Sequence, residues 1–484
     1  MLEQPVTAEQ APRVAVYTLG CKLNYAEGLT IRKSLENQGY EACEFEQGAD
    51  VYIINTCSVT DRADRKCARV VHQALRHNPR AVVAVVGCYA QLQPGKIAEI
   101  PGVALVAGTA DKWRLAELLP SKEAIVAGRH PEEARQAAGT SQVMTGPCGQ
   151  EVKVVHRPVD LARHFQPAQS WGDRTRAFLK VQDGCDFPCT YCTIPLARGM
   201  SRSDLESTVV ARARELAGSG ALEIVLTGVN LGDFGRVQGR LTNPFGGLAA
   251  LVRRLQQEVE VPRFRLSSVE PNLFEHDLIL ALKDSPRFVP HFHIPLQSGS
   301  DSVLGRMQRR YRTRNYRALL LHLQETWQDA GLGADVLVGF PGESEAEFRE
   351  TLDFVSEMPL AYLHVFTYSE RPDTPAAAMR PKVPQALRLE RNRLLTEVSL
   401  RKQLEFARRF EGQKRPVLVE HEAHRSLENP MSTMRGYTPN YLRVEMPYDP
   451  LWAGTEVMVE VGKATLRDQE VFVQGRILES TPLD

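Results

Sequence analysis

The chain has 484 residues, with 59 Lys+Arg against 59 Asp+Glu. That length exceeds one ordinary core and suggests about three domains at roughly 150 residues each, while zero net charge removes bulk electrostatics as a guide to a nucleic-acid partner and leaves only local patches. No apolar run reaches the length a membrane helix needs, and the start MLEQPVTAEQAPR lacks the basic and apolar segments of an export signal, so a cytoplasmic, membrane-free protein is expected.

The first region alternates short apolar runs with helix-like stretches. VAVYTLG (14–20) ends at Cys21, VYIINT (51–56) at Cys57 and AVVAVVG (81–87) at Cys88. Ala26–Gln38 and Asp61–His77 read as helices between them. Strands separated by helices pair in parallel through right-handed crossovers. Their carboxyl ends then share one edge of one sheet, where such folds bind ligands. The pattern therefore brings Cys21, Cys57 and Cys88 to one edge. In a reducing compartment, nine cysteines fit metal ligation or catalysis better than a disulfide framework.

Residues 126–170 lose the rhythm and read as a linker. It returns at Phe178 with FLKVQ, EIVLTG (223–228), RFRLSS (263–268), HFHIPLQS (291–298), ADVLVGF (334–340) and LHVFTYS (363–369). Leu205–Ser219, Asn315–Ala330 and Glu345–Ser356 read as helices between strands. Six repeats predict an open (β/α)6 barrel with its chemistry at the strand carboxyl ends. After a charged helix near Gln385–Phe410, short alternating strands predict a small antiparallel β barrel or sandwich. The expected fold class is thus α/β, in three parts. Residues 12–125 form a parallel α/β domain, 171–403 the open barrel and 404–484 the antiparallel β domain.

The strongest motif is VQDGCDFPCTYCTIPLARG (181–199), where Cys185, Cys189 and Cys192 are spaced C-x3-C-x2-C. Three crowded thiolates can hold three irons of a 4Fe–4S cube and leave the fourth without a protein ligand. That iron can take the amino and carboxylate groups of S-adenosylmethionine (SAM), whose reductive cleavage gives a 5′-deoxyadenosyl radical. A structural zinc site is the alternative; zinc normally takes four protein ligands, and this loop offers no fourth Cys or His nearby.

With TGVNLGDFG (227–235), HIPLQSGSDSVLGRMQRRY (293–311), DVLVGFPGESEAEF (335–348) and LHVFTYSERPDTPAA (363–377), this loop resembles the radical-SAM methylthiotransferases over nearly the whole chain. TLGCKLN (18–24), NTCSVT (55–60) and GCYAQ (87–91) are similar to that family's N-terminal motifs. The resemblance implies a second 4Fe–4S cluster on Cys21, Cys57 and Cys88, carrying the sulfur to be methylated and transferred. Taken alone, those three cysteines also read as small buried apolar residues. Cys43, Cys67 and Cys148 are assigned no ligand role. The resemblance also places Gly228 and Asn230 where the second barrel strand meets the SAM amino group.

Glu270, Gln297 and Ser298 end the third and fourth barrel strands and are candidate cofactor contacts, with turn or cap roles as the alternative. Arg198 is a candidate for binding a carboxylate or substrate, with a surface salt bridge as the alternative. His291 and His293 read as core or edge residues. The stretches Asp61–Arg80 and Gly305–Arg317 are basic. The second includes Arg306, Arg309, Arg310 and Arg312; either stretch suits RNA phosphates or a solvated helix face. The tail from Gln413 resembles a TRAM domain, the family's RNA-binding module, yet carries eight Lys+Arg and eleven Asp+Glu. Stacking would then matter, with Tyr437 and Tyr441 as candidates.

QDGC at the loop, LTGVNLGDFG and RLSSVEP look most like the branch of the family that modifies threonylcarbamoyladenosine in tRNA. The isopentenyladenosine branch usually shows MEGC and a TSHP-like third strand. The implied partners are a tRNA anticodon loop and a reduced electron donor such as flavodoxin. The alternatives are isopentenyladenosine tRNA, a ribosomal-protein aspartate and, in a different class, a non-catalytic RNA-binding iron–sulfur protein.

Overall fold

A computed structural model describes residues 11–58, 61–127, 141–146, 149–159, 164–170, 172, 175–237, 240–241, 246–424 and 433–478. It divides into two compact units: residues 1–170 with 193–200, and residues 171–192 with 201–484.

The first unit is built on a seven-stranded sheet. Its strands are β1 (Arg13–Thr18), β2 (Glu41–Ala42), β3 (Val51–Thr56), β4 (Val82–Gly87), β5 (Val103–Ala107), β6 (Ser141–Thr145) and β7 (Glu151–Val155), in the order β2-β1-β3-β4-β5-β7-β6. All neighbours are parallel except the edge pair β6–β7. Both faces are covered, so β3 and β4 are buried at every residue, as their unbroken apolar runs require. The stretch read as a linker supplies β6 and β7. Val152, Val154 and Val155 are buried, and a turn hydrogen bond from Gly146 N to Gln150 O (2.8 Å) joins the two strands. Five β-branched or charged residues without a following helix gave no α/β rhythm to read.

The second unit contains six parallel strands in two groups of three. These are β8 (Arg176–Lys180), β9 (Glu223–Thr227) and β10 (Arg263–Leu266), then β11 (His291–His293), β12 (Gly331–Val338) and β13 (Tyr362–Thr367). A bridge between Phe264 and Phe288 joins the groups. The expected open six-stranded barrel is present. β12 shows why its sequence alternates. Leu332, Ala334, Val336 and Val338 enter one core with helix residues such as Leu320, Leu323, Phe348 and Val355, while Gly331, Gly333 and Asp335 take the other face.

The C-terminal strands β14 (Lys414–His424), β15 (Thr433–Tyr437), β16 (Arg443–Pro447), β17 (Glu456–Arg467) and β18 (Glu470–Ile477) close a barrel in the order β14-β15-β16-β18-β17. This barrel belongs to the same compact unit as the open barrel. Among the described residues no helix is long and apolar enough to cross a membrane.

Candidate functional site

In the first unit, parallel pairing of β1 with β3 and of β3 with β4 aligns three carboxyl ends. Cys21 caps the helix Lys22–Glu36, Cys57 follows β3 and Cys88 opens the helix Cys88–Leu92. Gly20, at φ +106°, allows close approach: a Cβ there would lie 2.9 Å from the Cys57 sulfur. Asn24 ties the loops together, its amide donating to Leu19 O (3.0 Å) and Thr56 O (2.9 Å). Beside the cysteines lies a buried charge group. Glu27 receives Lys112 at 2.5 Å and Arg198 at 3.0–3.1 Å, and Arg198 also donates to Asn24 Oδ1. Arg198, expected to meet a carboxylate or substrate, therefore meets this chain's own Glu27. Burial pushes the Cys88 thiol up, and Arg198 and Lys112 pull against that shift. Two buried cations against one carboxylate favour thiolate charge nearby, so the donor set fits an iron–sulfur group better than three inert thiols.

In the second unit, the loop after β8 carries Cys185, Cys189 and Cys192, all half-buried. Its first residues are fixed by Lys180–Asp183 (2.7 Å) and Arg202–Asp183 (2.9 Å) ion pairs. Phe187 N donates to the Cys185 sulfur at 3.4 Å, and Arg309 donates to the Cys189 sulfur at 3.2 Å. Arg309 is anchored by Glu270 and by the Tyr311 hydroxyl at 3.2 Å. Burial raises the thiols of Cys185 and Cys189, and for Cys189 the nearby Arg309 charge opposes it. Burial likewise raises the Glu270 carboxyl, with Arg309 pulling it back.

The strand ends around this loop fit a polar ligand. Gly228 admits Gln182: a Cβ on the glycine would lie 2.9 Å from Gln182 Oε1, which accepts from Asn230 N at 2.9 Å. Both amide atoms of the buried Asn230 have no hydrogen-bond partner among the described residues, nor do Thr227 Oγ1, Asp233 Oδ2 and Ser267 Oγ. Orphaned buried groups of this kind cost stability unless a ligand or water pairs them. Gln297, in the loop after β11 and bridged to Val336, sits at φ +66°, a strained position for a non-glycine residue. Ser298 is committed internally, with Thr351 Oγ1 at 3.1 Å and Ser300 N at 3.2 Å.

The RNA candidates separate. Arg309 is buried beside Cys189, and Arg306 pairs with Glu347 at 2.8 Å. Neither offers a free surface charge. Arg310 and Arg312 are exposed, and the Arg310 guanidinium lies 4.1 Å from the Phe187 ring centroid. Tyr437 and Tyr441 pack against each other. Tyr441 is stacked on His291 (4.4 Å) on one side and on Tyr437 (4.6 Å) on the other, and its hydroxyl accepts from Arg176 at 3.2 Å. Its faces are occupied because the 438–442 loop plugs the amino ends of the barrel strands. Asn440 O approaches Gly331 so closely that a Cβ there would lie 2.1 Å away. Cys67 is fully buried in an apolar cluster, its thiol pushed up to about 12 by burial; Cys148 lies outside the described residues. Asn24 and Gln182 were missed as site residues, and Arg309 was named only as an RNA contact. Their only sequence signal was lying within a few residues of a cysteine motif or a strand end.

Residues 13–108 match the uncharacterized protein family UPF0004, and residues 179–355 match the radical SAM superfamily. The chain is 38% identical to the threonylcarbamoyladenosine tRNA methylthiotransferase MtaB of Bacillus subtilis (strain 168), over 92% of this chain and 91% of that one. It is 36% identical to the enzyme of the same name from Aquifex aeolicus, over 88% and 97%. In fold it is similar to the radical SAM methyltransferase TsrM from Kitasatospora setae, with TM-score 0.56 and 15% identity over 76% of this chain and 75% of that one. The orphaned strand-end groups, the two cysteine triads and these likenesses agree: the chain belongs to the radical-SAM methylthiotransferase family.

Proposed function

We propose that the chain transfers a methylthio group to carbon 2 of N6-threonylcarbamoyladenosine, next to the anticodon of tRNA, in the cytoplasm. The observation that carries the reaction type is the presence of two separate three-cysteine sites in one chain. Cys185, Cys189 and Cys192 would hold the 4Fe–4S cluster that binds SAM. Cys21, Cys57 and Cys88 would hold the second, which a simple methyl transfer does not need. When bound, these groups supply the one-electron chemistry that a ring C–H, inert to acid–base removal, requires.

The chain's own residues bind and orient. Asn230, Asp233 and Ser267 offer unpaired polar atoms for the amino and carboxylate ends of SAM. Gln182 holds the Asn230 backbone in place. Glu270 and Tyr311 hold Arg309, whose N–H supports the charge of the Cys189 thiolate. The exposed Arg310 and Arg312 are suited to RNA phosphates. An anticodon loop lowers the cost of presenting the base, a few kcal/mol for a flipped nucleotide, because its bases are already unpaired. A flavodoxin-type protein is the fitting electron donor.

The substrate rests on the two relatives named for threonylcarbamoyladenosine and on the QDGC and SSVEP motifs. The test offers reconstituted enzyme three substrates: tRNA with threonylcarbamoyladenosine, tRNA with isopentenyladenosine, and the small-subunit ribosomal protein. Mass analysis should find methylthiolation of the first. Modification of either other substrate with the first untouched overturns the substrate and leaves the reaction type standing.

A further inference from the structure

A second group of metal-competent side chains, distinct from the cysteines, lies in the open barrel. β11, β12 and β13 run side by side, and His293, Asp335 and His364 project from the same face of this sheet. His293 Nε2 lies 3.0 Å and His364 Nδ1 3.3 Å from the same Asp335 oxygen. The three donor atoms all lie within 4.8 Å of one another. From the sequence, His293 reads as a core or edge residue. It is indeed nearly buried, but pairing of the strands brings it together with residues 42 and 71 positions away.

The surroundings are those of a built ligand set. Gly333 lies between His293 and Tyr362 in the strand register, and a Cβ there would lie 2.2 Å from the Tyr362 ring. The ring therefore fills that place. Its hydroxyl reaches His293 Nδ1 at 3.2 Å and His291 Nε2 at 2.8 Å. A ligating histidine characteristically has its other ring nitrogen held by a hydrogen bond, which fixes the tautomer that leaves a lone pair for the ion. Here Tyr362 holds Nδ1, and Nε2 faces Asp335. Two imidazoles and one carboxylate suit a borderline first-row dication, and three protein ligands leave a coordination position open. Access exists as well. The His364 side chain is 57% exposed and borders a cleft of about 290 Å³, together with Tyr362, Gln403, Tyr441 and Arg443.

We propose that His293, Asp335 and His364 form a mononuclear site for a divalent first-row transition ion, with its open position toward the cleft beside His364. Binding replaces the proton shared between His293 and Asp335. Without an ion, the same atoms form a hydrogen-bonded chain from His364 to His291.

Zinc(II) is the probe. Full-length protein carrying its clusters is equilibrated anaerobically with zinc chloride and desalted. Zinc is counted by mass spectrometry, and its ligands are read by zinc K-edge X-ray absorption. One zinc per chain with a nitrogen and oxygen shell is expected. Asp335→Asn and His364→Ala should each weaken retention at least about tenfold, with iron content unchanged. Sulfur in the zinc shell, no zinc retained, or undiminished zinc in His364→Ala each overturns the proposal. His364 is exposed enough for its replacement to fold, so that variant decides the question even if Asp335→Asn does not fold.

Discussion

At the amino ends of the open barrel's strands, charge is paired residue by residue. Glu223 receives both arms of Arg265 at 2.7 and 2.9 Å, Arg176 reaches Glu420 at 3.1 Å, and Arg263 pairs with Glu456. At the carboxyl ends of the same strands, Thr227, Asn230, Asp233 and Ser267 keep buried polar atoms with no partner among the described residues. The same backbone serves both ends, so the difference lies in the side chains. One end is closed by internal bonds and by the Tyr441 plug. The other is left incomplete until a polar ligand arrives, the division expected of barrels that keep stability at one end and chemistry at the other.

The largest effect should come from the open end. Cys185→Ala should reduce SAM cleavage to background, measured as 5′-deoxyadenosine. Replacing Cys185, Cys189 and Cys192 together should remove about half the iron. Loss of all the iron, or of none, would break the picture of two independent sites. A Cys21, Cys57 and Cys88 triple replacement should leave SAM cleavage intact and abolish sulfur transfer.

Next in size is the closed end. Glu223→Gln leaves three arginines without their shared buried carboxylate and should cost about 3–5 kcal/mol, read as a lowered thermal midpoint. Burial alone would raise the Glu223 carboxyl; Arg265, with Arg176 and Arg263, outweighs it and brings the value to about 2. A depressed acid stabilises the fold above its unfolded value near 4.5 and loses that contribution as pH falls toward 2. The wild type should therefore shed on the order of 3 kcal/mol through that window. Glu223→Gln should show no such slope from this site, and an unchanged slope would sink the assignment.

Tyr441→Ala should be milder, about 2–3 kcal/mol, since it removes two stacked contacts and one hydrogen bond from a half-buried site. If tRNA affinity falls while the thermal midpoint holds, Tyr441 meets RNA after all. The smallest effect sharpens the contrast most. Asn230→Ala should weaken SAM binding roughly tenfold, about 1.4 kcal/mol, without lowering the midpoint, because no described residue hydrogen-bonds to that amide.

Much of this was legible in the sequence because its signals are local. Apolar runs ending in Cys21, Cys57 and Cys88 are β1, β3 and β4 with their loops, and C-x3-C-x2-C is one loop. Pairing was not legible. Arg309 sits in the run RMQRRY and looks like its neighbours, yet it is buried because Glu270, 39 positions earlier, offers it a carboxylate. Tyr441 lies in a strand-and-turn pattern that suits an exposed stacking residue. Only the fold shows His291 and Tyr437 on its two faces. β6 and β7 were missed because an edge hairpin carries no helix to mark its rhythm.

Residues 193–200 have a consequence for how this chain can change over evolutionary time. The residue after Cys192 begins a segment that belongs to the first unit, and the chain re-enters the second at Ser201. That segment delivers Arg198 to Glu27 and Asn24, and Thr109 donates its hydroxyl to Ala197 O at 2.6 Å. A gene fragment ending at residue 170 would encode the seven strands but not the arginine that neutralises Glu27. Recombination at that boundary would strip the carboxylate of Arg198. The eight residues that complete the first unit's buried charge group thus follow directly, in sequence, on the second unit's Cys192. Shuffling one unit against a foreign partner would have to carry that segment along, so inheritance favours the pair as a single cassette.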